Sequence, residues 1–121
     1  MPNKAVAVTY HDLLIKNSSQ NPEYAILHLI YDKIDDRNHK TLTNLSHMLS
    51  DAGFHDLSLI VSNQIPFATY IHASEALKAR EFILEHSAAV HPTLYYKGHF
   101  DHDAGNLIQK ENHIKDNIFH H

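Results

Sequence analysis

Apolar and polar positions along this chain fall into blocks that read as separate elements. The clearest block runs from Glu23 to Ile34, rich in Ile, Leu and Tyr and nearly all apolar. Such a run predicts a central strand, buried on both faces or on one face plus a dimer contact. Asp35-Asp36-Arg37-Asn38 ends it as a turn, with Asn38 or Asp36 placed to cap the next helix. That helix is predicted over His39–Ala52, because Leu42, Leu45, Leu49 and Ala52 recur at spacings of three, four and three. Gly53 follows as its stop, and Phe54 just beyond can fold back on it.

Leu57–Ser62 reads as a second strand and Phe67–His72 as a third, joined by a turn at Asn63–Pro66. In the third, Phe67, Thr69 and Ile71 alternate with Ala68, Tyr70 and His72. Ser74 as N-cap and Glu75 in the first turn open a second helix, predicted to reach about Ala89. Pro92 resets the chain, and Thr93–Lys97 is a fourth strand that Gly98 ends. Ahead of these, residues 4–16 read either as a strand, by the alternation of Val6, Val8 and Tyr10, or as the start of a helix at Leu13–Ile15. Asn17–Pro22 is a loop by composition. Beyond them, Asp101–His121 is polar, but Leu107, Ile114 and Ile118 predict an amphipathic helix, one able to swap onto a partner subunit.

The order strand, helix, strand, strand, helix, strand defines an α+β class and the βαββαβ plan of a ferredoxin-like sandwich. The expected organisation is an N-terminal arm over residues 1–22, a ferredoxin-like domain over 23–99 and a C-terminal tail over 100–121. Two helices would cover one sheet face. The strands are not strongly polar on either side, so a homodimer through the other face is expected.

Composition narrows the chemistry. A chain of 121 residues has room for one domain. It has no cysteine, which removes disulfides, thiol catalysis and cysteine-based metal centres. Three glycines in all leave no Gly-rich phosphate loop. No apolar stretch is long enough to span a membrane, and the N-terminus lacks the apolar core of a signal peptide, so a cytoplasmic location is expected. Lys and Arg total 10 against 14 Asp and Glu, a formal charge of −4. The 13 histidines are the anomaly. Roughly a quarter of an unperturbed imidazole population is charged at pH 7, adding about three positive charges. The basic surplus of a nucleic-acid binder is absent.

Two groups of residues carry candidate chemistry. The first is Asp32, at the end of the first strand and close to Asp35 and Asp36. A carboxylate there can hold a hard divalent ion, and two copies across a dimer axis can hold Mg²⁺ and activate water for phosphodiester cleavage. The plainer reading is a solvent-facing Asp32 and a turn built by Asp35-Asp36. The second is His99-Phe100-Asp101-His102-Asp103, with His91 upstream. Imidazoles and carboxylates at this density suit Zn²⁺ or Ni²⁺, with His99 and His102 as ligands. Gly98 and Gly105 make the segment loop-like, and among so many histidines such a pair also arises by chance.

Tyr31-Asp32, Asp35-Asp36-Arg37 and the leucine-striped helix ending Asp51-Ala52-Gly53-Phe54 resemble the small CRISPR adaptation nucleases and the related VapD-type ribonucleases. Phe67–Glu75 resembles the third strand and helix start of GhoS-type antitoxin ribonucleases. The resemblance covers about residues 24–75. It implies a ferredoxin-like dimer and a Mg²⁺-dependent endoribonuclease acting on RNA, with Asp32 as metal ligand and Tyr31 and Arg37 near the site. The glutamine, serine and aromatic that those families place around the second strand are replaced here by His55–Ser62, with Ser58 and Ser62 only. That departure and the acidic charge point to a second class. This is a non-catalytic acidic binding protein, such as an antitoxin, an immunity protein or a phage-encoded inhibitor of a defence nuclease, with a protein partner and no cofactor.

Overall fold

A computed structural model describes residues 8–33, 35–63 and 68–119. The chain enters through a helix, α1 (Tyr10–Ser18), that the sequence reading leaves undecided against a strand. A reciprocal capping box opens it: the Thr9 hydroxyl accepts from the Asp12 backbone N–H, and the Asp12 carboxylate accepts from the Thr9 N–H. Val6 lies outside the described residues.

β1 (Tyr24–Tyr31) follows, then α2 (Asp36–Asp51). Ala25, Leu27 and Leu29 of β1 are wholly buried on one face, and Ile26 is buried on the other. The strand is central, as its apolar run predicts, but only the face of Ala25, Leu27 and Leu29 is fully buried: on the other, His28 is half-buried and Tyr24 and Ile30 are exposed. Ile34 lies outside the described residues. α2 begins three residues before the predicted His39, because Asp35 rather than Asn38 or Asp36 is the cap. Its carboxylate accepts from the Asn38 N–H at 2.9 Å. Gly53 ends α2 at φ +94°, with Gly53 N–H bonded to the Ser50 carbonyl and Phe54 N–H to the Leu49 carbonyl. This paired closure turns Phe54 back toward the core.

The segment predicted as the second strand is a helix, α3 (His55–Ser62). Its Leu57 and Val61 stand one turn apart and are both buried, which is helical spacing. A short apolar run such as Leu57–Val61 fits a strand or a buried helix equally well by pattern. Here α2 decides, because it gives α3 a surface to pack on. The turn expected at Asn63–Pro66 lies largely outside the described residues, as does Phe67.

β2 (Ala68–His72) leads into α4 (Ala73–His86). The α4 cap is His72, whose Nδ1 accepts from the Ser74 N–H, in place of Ser74 itself. β3 (Val90–Tyr96) and β4 (His99–Phe100) form a hairpin whose two turn residues, Lys97 and Gly98, have φ of 49° and 80°. That pair of left-handed residues is the tight turn that matches sheet twist. The predicted end at Gly98 is therefore a turn into a further short strand. The amphipathic helix predicted in the tail is α5 (Asp101–Phe119), and it takes in the stretch between Gly98 and Gly105 that reads as loop-like by composition.

The class is α+β. One antiparallel sheet runs in the order β2-β1-β3-β4, and the predicted βαββαβ succession is not what the chain adopts, because α3 replaces a strand. On one face Leu42, Leu45 and Leu49 of α2, Ala76, Ala79 and Ile83 of α4, and Ala104 and Ile108 of α5 pack on Leu27, Leu29 and Leu94. The opposite face, expected to be closed by a second subunit, is covered in part by α1, whose Leu14 packs on Ile26 and Tyr95. α5 packs on the core of its own chain through Ala104 and Ile108, next to the predicted Leu107, while Ile114 is exposed. The side chain of Ile118 and the pair His120-His121 lie outside the described ones. No helix among the described residues is long and apolar enough to cross a membrane.

Candidate functional site

Asp32 stands just past β1. Its backbone N–H donates to the Ala89 carbonyl at 2.9 Å. The β1–β3 register pairs Ile30 with His91, and strand alternation puts Asp32 on the same face as Ile30. Asp32 Oδ1 therefore meets His91 Nε2 at 2.8 Å, with the two side chains 53% and 54% exposed. A carboxylate-oriented imidazole is the arrangement that holds a general base, but at this exposure it is also an ordinary surface pair.

The residues expected around Asp32 go elsewhere. Tyr31 alternates onto the helix side and packs against the main core. Its hydroxyl is buried with no hydrogen-bond partner among the described residues, and burial pushes its pKa up to about 12. It stays protonated through the physiological range. Arg37 is exposed in the first turn of α2, and its carbonyl accepts from the Thr41 hydroxyl. Asp35 is spent on the helix cap, and Asn38 ties the same corner by donating to the Lys33 carbonyl. Asp32 meets His91, then, while Tyr31 lies on the opposite face of the sheet.

His99 and His102 lie at the other end of β3. His99 pairs with Tyr96, five residues along the strand from His91, which is about 17 Å at strand rise. Asp32 cannot share an ion with them. His102 is 83% exposed, with Nε2 3.7 Å from Asp101 Oδ2, and that carboxylate's other oxygen holds Arg80 at 3.1 Å. Among the described residues no group of three or more His, Asp or Glu side chains is arranged to hold a metal. Mg²⁺ prefers several oxygen ligands, and Asp32 offers one carboxylate, already engaged by His91.

A cleft of about 540 Å³, absent from the sequence reading, opens between the α2–α3 corner, β2 and α4. Phe54, Leu57, Ile71 and Phe82 give it an apolar floor, with the Phe54 and Phe82 rings 5.9 Å apart. Asp56 and Glu75 stand at its edge with Lys78 and His55. The cleft exists because 55–62 folds as a helix against α2 rather than as a strand beside β2. The one sequence signal that bears on it is the spacing of Leu57 and Val61.

Comparison with family models, with curated proteins and with solved structures finds no match for this chain.

Proposed function

We propose that this chain is a non-catalytic binding protein that takes a protein partner in the cleft beside β2. The observation that carries the reading is the cleft itself: an apolar floor open to solvent, beside an edge strand, with acidic groups at its margin. Exposed concave apolar surface with a polar rim is the usual form of a recognition site. The formal charge of −4 favours a basic partner by raising the encounter rate and setting orientation. Antitoxins, immunity proteins and nuclease inhibitors belong to this class. In the same reading the fold is a ferredoxin-like sandwich with α3 in place of its second strand. The adjacency of β2, β1 and β3 is the one such a sandwich gives its third, first and fourth strands. A displayed random-peptide selection tests it. The enriched binders should be basic and should lose binding to Tyr70→Ala and Glu75→Lys, two exposed changes. Binders indifferent to both changes would sink the reading.

A second reading rests on the Asp32–His91 pair. It makes the chain an endoribonuclease, acting as a homodimer, in which the imidazole held by Asp32 removes the proton of an RNA 2′-hydroxyl. One chain offers too few oxygen ligands for Mg²⁺, so a metal-dependent form needs the second subunit. The test is RNA turnover by the native chain, by Asp32→Ala and by His91→Ala, with and without a chelator. Equal turnover in all three, or none in any, ends this reading.

A further inference from the structure

β2 is the outermost strand of the sheet. Its inner edge pairs with β1 from His28↔Ala68 to Tyr24↔His72, and among the described residues no strand pairs with its outer edge. Such an edge presents backbone N–H and C=O groups that need partners. The segment that sequence pattern would lay in this part of the fold is α3, which gives side chains to the cleft wall but no ladder. The register shows where a strand added here would point. Thr69 and Ile71 pair with Leu27 and Ala25 and share their helix-side face, whereas Tyr70 pairs with Ile26 and is 56% exposed on the other. Alternate side chains of an added strand would therefore fall over Phe54, Leu57 and Phe82, and the remainder would lie beside Tyr70. Asp56 and Glu75 outnumber Lys78 at the margin, so flanking basic residues complete the match.

We propose that the partner is held by strand addition. An extended segment of the partner protein, apolar at alternate positions and flanked by Lys or Arg, pairs its backbone with the outer edge of β2. This rests on the binding reading above and adds how the partner is held and what its segment contains.

The test uses the full chain, isotope-labelled, and the peptide Arg-Val-Thr-Val-Lys. Two further versions of the peptide are N-methylated at alternate backbone amides, one for each possible pairing side. The Ala73 N–H bond to the Glu23 carbonyl sets the ladder so that Thr69 and Ile71 bond β1, and the expected result is exchange protection of the outward-facing Tyr70 and His72 amides. Methylation on one side only should weaken binding by about tenfold or more. Asp56→Lys combined with Glu75→Lys, both exposed, should weaken it similarly and flatten its salt dependence. Equal binding of all three peptides would overturn strand addition while leaving the cleft as a binding site. Protection of the same amides without peptide, rising with protein concentration, would overturn it in favour of a second copy of this chain. No binding of any peptide, with no protection, would overturn it outright.

Discussion

Ser46 on α2 and Ser58 on α3 hold each other's backbones. The Ser58 hydroxyl donates to the Ser46 carbonyl at 2.8 Å, the Ser46 hydroxyl donates to the Ser58 carbonyl at 2.9 Å, and the two oxygens stand 3.0 Å apart. Ser46 is buried and Ser58 half-buried, so these hydroxyls depend on one another more than on water. The exchange fixes α3 on α2 and so sets the shape of the cleft that α3 borders. It also gives Ser58 a structural role at the point where the chain departs from the small-nuclease pattern.

Ser46→Ala and Ser58→Ala should each cost about 1–2 kcal/mol, since each leaves the other partner's groups underused in a site poor in water. The double variant should cost less than the sum, with a coupling of about 0.5–2 kcal/mol. Urea unfolding of the four proteins measures this. Full additivity would mean the two hydroxyls act independently.

Tyr31→Phe should leave the protein as stable or raise its stability by up to about 1 kcal/mol, because it removes a buried hydroxyl that has no partner among the described residues. Thermal melting of the two forms checks it. A loss of more than about 1 kcal/mol would show that the hydroxyl is satisfied in solution.

The same residue sets an alkaline limit. Burial pushes Tyr31 from 10.0 up to about 12 in the folded state. The folded chain therefore keeps a proton that the unfolded chain loses between those values. The associated stability, about 2–3 kcal/mol at most, is fully present below pH 10 and is lost as pH rises toward 12. Burial also raises Tyr95 and Tyr96, so phenolate absorbance of the native chain should show several late-titrating tyrosines, of which the one at about 12 should be missing in Tyr31→Phe. His28 acts at the other end of the scale. Burial holds its pKa below the ordinary imidazole value, so its contribution is present above about pH 6.5 and is lost on acidification.

Gly53→Ala should destabilise by about 1 kcal/mol or more. An added Cβ meets nothing within 4 Å, so the whole cost is the left-handed backbone at φ +94°. The α2–α3 corner would loosen, and binding at the cleft should weaken with it. Circular dichroism melts and the peptide titration read the two effects.

Much of the fold follows from local pattern. The apolar run that becomes β1, the leucine stripe of α2, the stop at Gly53 and the strand read at Thr93–Lys97, which the structure starts earlier at Val90, are each written in consecutive residues. Their period and turn chemistry admit one reading. The candidate site was less legible. Asp32 lies where the strand was expected to end, but its partner His91 sits 59 residues later and is brought near only by the β1–β3 register. Local pattern reads Leu57–Ser62 as a strand, which the structure overturns, and it leaves residues 4–16 undecided between strand and helix. Tertiary contacts settled both. The Ser46–Ser58 exchange and the burial of Leu57 and Val61 hold one segment as a helix on α2. Leu14 on Ile26 and Tyr95 holds the other as a helix on the open sheet face. Hydrophobic burial is non-directional, so a short apolar run takes the backbone form that its neighbours can cover. Which surface covers it is decided by residues far away in the chain.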